Sequence, residues 1–307
     1  MKLQIPIGSP LPMASRPSSF RAAVAASDWV AARAPRLGLR AIGQAGGVCN
    51  RLGLYGPAPA ELRTLLPWLG AGEARKAARE IARRDVQQRA VDRLLIGGHS
   101  EHLPDLVDAS GAGELQAMRD RGQGAVLLDV HFGPIGATGL ALERLGLTAL
   151  LIRFSRLGSR LPGFEVAHLE GHEDRRALAL RRGLDWLRAG GFVAIAADGQ
   201  LGAETEPVPC CGRLVTFRRG AFSLARLARV PIVPLLFAWR ARGCAIEATA
   251  CPPIFPGTGG SPLEQEARMA RAVADWLDAR VRARPESLSV WTVRWLQASI
   301  IAGESGQ

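Results

Sequence analysis

Residues 124–154 read GAVLLDVHFGPIGATGLALERLGLTALLIRF, and this stretch decides the fold. AVLLDV (125–130) is a short apolar run rich in branched side chains and entered through Gly124. That is the pattern of a strand buried on both faces of a parallel sheet. It runs into His131, after which Gly133-Pro134 turns the chain. GATGLALERLGL (136–147) carries apolar residues at helical spacing, and TALLIRF (148–154) is a second strand. Strand, helix and strand in that order predict a βαβ unit with parallel strands.

The alternation continues downstream. Residues 173–189 form a helix closed by Gly190-Gly191, and FVAIAA (192–197) is a third strand ending in Asp198-Gly199-Gln200. Residues 218–229 read as a helix, PIVPLLFAW (231–239) as a fourth strand, and CAIEATAC (244–251) as an alternating strand near an edge. Residues 263–282 are a last long helix. Upstream, residues 1–19 are rich in Pro and Ser and read as irregular, while 59–70, 72–96 and 112–121 read as helices. The expected architecture is α/β: a mostly parallel central sheet flanked by helices. A helical N-terminal flank over 20–121 precedes an α/β body over 122–300, in one compact unit.

Composition agrees with a globular chain. Of 307 residues, 48% are hydrophobic, enough for a sizeable core, which excludes global disorder, a collagen and a small disulfide scaffold. The formal net charge is +11, and lysine occurs only at Lys2 and Lys76, so arginine carries it. Such a charge favours an acidic partner. The arginine excess is either a coding bias against lysine or a set of guanidinium forks for phosphate oxygens. Nucleic acid is set aside: aromatic residues are 6%, tyrosine occurs once and no nucleic-acid module is visible. Five cysteines (Cys49, Cys210, Cys211, Cys244, Cys251) give an odd count without metal-type spacing, as expected of a reduced chain.

No apolar run approaches the ~18 residues of a spanning helix, and the start, MKLQIPIGSPLPMASRPSSFR, lacks the apolar stretch of a secretory signal. Phe20, Val24, Trp29, Val30 and Leu37 fall at roughly helical spacing among Arg21, Arg33, Arg36 and Arg40. This segment is either a basic amphipathic helix lying on anionic lipid or an ordinary helix packed on the domain. The expected location is the cytoplasm or the cytoplasmic face of the inner membrane, as a peripheral protein.

Reactive groups of an open α/β sheet gather where strands end. His131 follows the first strand, and an imidazole there is suited to general-base work near neutral pH. Arg153 ends the second strand and Asp198 follows the third. Gly212-Arg213 forms a loop ahead of the helix at 218–229. Arg218, Arg219, Arg226 and Arg229 either form one basic face or are separately solvated. His99 and His102, and His168 and His172, have spacings open to a metal pair, but read more simply as surface or capping residues.

Taken in order, these blocks resemble the bacterial lipid A lauroyl/myristoyl acyltransferases, part of the lysophospholipid acyltransferase superfamily. LLDVHFG (127–133) matches the strand ending in histidine, and the strand ending in Arg153 matches the next block. GGFVAIAADGQ (190–200) matches the Gly-Gly, apolar strand, Asp-x-Gln block, and CCGRLVTF through VPIVPLL (210–236) matches the loop, helix and strand that follow. ARPESLSVWTVRW (283–295) is similar to the closing segment. The resemblance covers about residues 85–300 and implies a glycerol-3-phosphate acyltransferase-like fold.

It further implies acyl transfer from acyl carrier protein or acyl-coenzyme A to a hydroxyl or amine of a lipid or glycolipid, with no separate cofactor. His131 would remove the acceptor proton, and Gly133, Arg153, Asp198, Gly212 and Arg213 would bind substrate. An anionic membrane surface is the implied setting. The family motif, His-x-x-x-x-Asp/Glu, places an acid where this chain has Gly136. Three possibilities follow. Another carboxylate orients the imidazole: Asp129, two residues earlier and so on the same strand face, or Glu170, Glu173 or Asp174. Alternatively His131 acts alone at reduced rate, or the site has left this chemistry and the chain only binds acyl lipid or acyl carrier protein. Cys210-Cys211 replace two aromatic residues of the family loop and read as small packing residues.

Overall fold

The computed structural model describes residues 33–96, 103–130, 136–153, 163–168, 173–197, 205–240 and 245–301. Among these residues three helices come first: α1 (Pro35–Arg51), α2 (Pro59–Leu65) and the long α3 (Ala71–Ile96). α1 lies on α3 through a face of glycines. A Cβ at Gly46 would stand 2.5 Å from Val86 Cγ2 and 2.9 Å from the Ala82 carbonyl oxygen, so only glycine permits this approach. Fully buried Gln87 of α3 donates from Nε2 to the Leu39 carbonyl at 2.8 Å, satisfying its amide inside the contact.

The body follows as β1 (Val107–Gly111), α4 (Glu114–Asp120), β2 (Ala125–Asp129), α5 (Ala137–Arg144), β3 (Ala149–Arg153), β4 (Phe164–His168), α6 (Glu173–Arg188) and β5 (Phe192–Ala196). Then come β6 (Val208–Cys210), β7 (Arg213–Val215), α7 (Arg219–Ala228), β8 (Ile232–Trp239), β9 (Ile246–Ala250), α8 (Pro262–Ala283), α9 (Val290–Gln297) and β10 (Ile300–Ile301). Seven strands form one sheet in the order β1-β9-β8-β2-β5-β3-β4. β8, β2, β5, β3 and β4 run parallel; β9 is antiparallel to β8, and β1 is parallel to β9. The protein is thus α/β with a mostly parallel, mixed sheet flanked by helices.

Two strands of this sheet were not expected. β1 lies inside the stretch read as a helical flank, and FEVAH (β4) adds an edge beyond β3. Both are short and carry polar residues, so neither shows the apolar run that marks β2. The N-terminal flank is therefore not wholly helical: β1 extends the body's sheet through β9.

β2 is buried along its whole length, and its alternation splits the core. Val126, Leu128 and Val130 face one cluster, built with α6, α7, α8 and the first half of α3. Ala125 and Leu127 face the other, built with α4, α5, Leu39 and the second half of α3. α3 serves both layers: Ala74, Ala77, Ala78 and Ile81 pack in the first, Ala90, Val91, Leu94 and Leu95 in the second. Burying each of the larger side chains contributes about 1.5–3 kcal/mol.

A three-stranded sheet, β10-β7-β6, sits apart from the main one. β6 and β7 join through Cys211 (φ 55°) and Gly212 (φ 74°), the two positive-φ positions of a type I′ hairpin. Asp278 of α8 holds this turn by accepting the Cys211 amide at 2.7 Å. α8 starts with a capping box: Ser261 Oγ accepts from the Glu264 amide, and the Glu264 carboxylate accepts from the Ser261 amide at 2.6 Å.

Candidate active site

β2 is central, with β5 on one side and β8 on the other. From β2 the chain leaves through α5 to β3; from β5 it leaves through the hairpin and α7 to β8 on the opposite side. Such a reversal opens a crevice at the carboxyl ends of the strands. The loops converge there by backbone bonds: the Ala197 amide donates to the Asp129 carbonyl at 3.0 Å, and the Arg218 amide to the Ala197 carbonyl at 2.6 Å.

Asp129, the last residue of β2, is 5% exposed. It faces α5, where fully buried Thr138 donates from Oγ1 to Asp129 Oδ1 at 2.9 Å. The strand end and the first turn of the following helix are thereby locked together. Gly136 is the N-cap of α5. A Cβ at Gly136 would stand 2.8 Å from Asp92 Oδ1 and 2.8 Å from Leu95 Cδ1, both from α3. The side-chain space of position 136 is already filled, and part of the filling is a carboxylate.

Asp92 is half-buried and accepts one hydrogen bond, from Gln88 Nε2 to Oδ1 at 2.6 Å. Burial pushes its carboxyl up to about 6, with Asp85 adding to the rise and the Gln88 bond, Arg89 and Arg93 opposing it. A carboxyl titrating so high is suited to a polar site rather than to a solvated helix face. Gln88, one turn earlier, also lines a cleft with Lys76, Glu80, Arg84, Trp239 and Arg284. The cleft holds about 750 Å³ of free space, part of it open to solvent. Trp239 ends β8, four residues past Leu235, which pairs with Asp129. The cleft therefore lies beyond the carboxyl edge of the sheet, with α3 running from it to Asp92.

Of the residues singled out in the sequence, His131, Gly133 and Asp198 lie outside the described residues, as do His99, His102, Glu170 and His172. Arg153 closes β3, its backbone in register with His168 of β4. Arg213 is 7% exposed and donates to the Ser299 carbonyl at 3.2 Å, which fixes the hairpin to the end of the described chain. Gly212 shares that hairpin, supplying its second positive φ.

For Arg219 and Arg226 of α7 neither reading, one basic face or separate solvation, holds. Arg219 and Arg226 both bind Glu266 of α8, at 2.7 and 3.1 Å, and Ser223 Oγ donates to the same carboxylate at 2.9 Å. Glu266 is 1% exposed, so these arginines serve a buried inter-helix contact. Cys210 and Cys211 are buried packing residues. Contact with Cys210 and burial push the Cys211 thiol far up, which leaves it no nucleophilic thiolate.

Asp92, Gln88 and the cleft were not visible in the sequence. Asp92 lies among many charged residues of α3, and only its approach to Gly136 distinguishes it. Among the described residues no cluster of three His, Cys, Asp or Glu side chains could hold a metal ion, and no helix is long and apolar enough to cross a membrane. Comparison with known protein families and with curated proteins found no match.

Proposed function

We propose that the chain is an acyltransferase of the lysophospholipid acyltransferase type, similar to the lipid A lauroyl/myristoyl enzymes. It moves a fatty acyl group from an acyl thioester, on acyl carrier protein or coenzyme A, to a hydroxyl or amine of a lipid, glycolipid or related biosynthetic intermediate. The carrying observation is the position of LLDV (127–130), the described part of the LLDVHFG block. Its strand is the central one and ends at the crevice where the sheet reverses, in a carboxylate fixed by Thr138.

In this reading His131 takes the proton from the acceptor hydroxyl as its oxygen attacks the thioester carbonyl. The tetrahedral intermediate collapses with cleavage of the C–S bond. The departing thiolate takes the proton back from the imidazolium, so atoms and charge balance without a further cofactor. In the same reading Gly133, Arg153 and Asp198 bind substrate. Gly212 and Arg213 act from the hairpin, Arg213 by holding it in place.

A membrane-surface setting fits α1. Its glycine face packs inward while Leu37, Val48 and Leu52, 65%, 51% and 67% exposed, form an outward apolar stripe flanked by Arg40 and Arg51. That combination suits the boundary of an anionic bilayer. It would place the protein peripherally, on the cytoplasmic face of the inner membrane. Phe20, Val24, Trp29 and Val30 of the segment lie outside the described residues; the described part, α1, packs on α3 and also carries exposed apolar side chains.

Gly136 favours a second reading, a relative that binds acyl lipid or acyl carrier protein without turnover. Incubation with lauroyl-coenzyme A or lauroyl-acyl carrier protein and a bacterial lipid extract, read by mass spectrometry, separates the two. An acylated product lost in His131→Ala supports transfer. Ligand binding without any such product supports the second reading.

A further inference from the structure

We propose that the cleft between α3 and the α8–α9 connection is a binding site for a phosphate monoester, with Lys76 as its anion-binding group. The proposal stands independently of acyl transfer, because it uses only the cleft's own residues.

The walls of the cleft are held in place by the fold. Its floor includes Trp239 and Leu288, 5% and 1% exposed. Arg84 lies over the Trp239 ring at 5.7 Å and donates to the Arg240 carbonyl at 2.7 Å and to Gln87 Oε1 at 3.2 Å. Arg284, on the opposite wall, donates to the Trp239 carbonyl at 3.1 Å and to Glu247 Oε2 at 2.8 Å. Groups fixed in this way need little further ordering when a ligand binds. The free space of about 750 Å³ falls within the range of small-molecule sites.

The charges point to the ligand. Three carboxylates line the cleft, and each already faces a cation. Glu80 faces Arg83 and Arg84, both at 3.4 Å, Asp85 faces Arg89 at 2.7 Å, and Glu286 faces Arg284 at 3.9 Å. Lys76 is the charged side chain of the cleft left with no hydrogen bond or ion pair among the described residues. Arg75 and Arg79, within one turn of it on α3, also have no such partner. Ser289, the N-cap of α9, lines the cleft as well, which adds the partial positive charge of a helix amino end. The local excess of positive charge is more than one unit. It suits the dianion of a phosphate monoester better than a carboxylate.

Neutral groups supply the rest of the lining. Gln88 Oε1 accepts no hydrogen bond among the described residues, and Ser287 adds a hydroxyl from the turn Pro285–Ser287. Both suit a hydroxylated body attached to the phosphate.

The test is calorimetric titration of the full chain at low ionic strength with ribose 5-phosphate, ribose and ribonate. Ribose 5-phosphate binds, ribose does not, and ribonate binds more weakly. Lys76→Ala weakens ribose 5-phosphate binding at least about tenfold, the value of a charge-assisted hydrogen bond. Arg271→Ala removes an equally exposed and unpartnered cation from α8 and leaves binding unchanged. Ser287→Trp keeps every charge, fills the cleft and abolishes binding. Dihexanoylphosphatidic acid, kept monomeric, carries the same phosphate on a lipid body. Tighter Lys76-dependent binding of it than of ribose 5-phosphate supports the site and assigns it to a lipid headgroup; the reverse order supports it and assigns it to a soluble ester. Binding of neither phosphate to the wild type overturns the proposal. So does an equal effect of Lys76→Ala and Arg271→Ala, or wild-type affinity in a folded Ser287→Trp. Ribonate binding as tightly as ribose 5-phosphate overturns the assignment to phosphate.

Discussion

Thr138 Oγ1 donates to Asp129 Oδ1 across 2.9 Å, with both residues buried, and this bond joins the central strand to the helix that follows it. It turns a strand end into a fixed platform at the mouth of the crevice. Thr138→Val keeps the shape and removes the donor. The expected loss is about 1–3 kcal/mol, the cost of taking a partner from a buried polar group. Chemical denaturation of the two proteins checks it, and a change under about 0.5 kcal/mol would show that the bond does not lock the strand end.

Asp92 makes stability depend on pH in an unusual direction. Its carboxyl is raised from 3.8 to about 6 in the folded chain. Between those values the folded state holds a proton that the unfolded state has lost, so this group's contribution falls as pH rises from about 4 to about 6. Above pH 6 both states are ionised and the folded one carries the full penalty. Asp92→Asn should therefore stabilise the protein at pH 7 by about 2–3 kcal/mol and by little at pH 4. Denaturation curves at the two pH values test this, and equal effects at both would refute the burial argument.

Glu266 is the buried end of a three-way contact with Arg219, Arg226 and Ser223. Removing it leaves two arginines against an apolar layer. Glu266→Ala should cost about 2–4 kcal/mol. Arg229, the C-cap of α7 at φ 58°, gives the opposite sign. Arg229→Gly should gain up to about 1 kcal/mol by relieving a left-handed backbone. Thermal denaturation of both variants is the check.

The outward stripe of α1 predicts binding to anionic vesicles. Val48→Asp/Leu52→Asp changes two exposed side chains, so folding should be unaffected while co-sedimentation with phosphatidylglycerol vesicles falls several-fold. Equal sedimentation of variant and wild type would remove α1 from the membrane account.

The central strands were legible because burial on both faces forces a continuous apolar run, and AVLLDV and PIVPLLFAW have one. β1 and β4 were not: VDASG and FEVAH are too short and polar to stand out, and their pairing with β9 and β3 is a tertiary choice. The β6–β7 hairpin hid for a different reason. Its Cys-Gly turn adopts the left-handed pair of angles more commonly announced by Asn-Gly. α9 escaped notice within a segment read only by resemblance.

At the site, the sequence pointed to the strand end and to the vacancy at Gly136. It could not show what fills that vacancy, because Asp92 is 44 residues away in the chain and comes from a helix whose charges all look alike. The arginines of α7 mislead for the related reason that their partner, Glu266, lies on a later helix.

The most direct test of the account is thioester consumption by the purified chain with lauroyl-acyl carrier protein and lauroyl-coenzyme A, each with bacterial lipid extract, beside His131→Ala. The account predicts a new acylated lipid from the wild type and none from a folded His131→Ala. An equal yield from both proteins, or no product from the wild type with either donor, would contradict it.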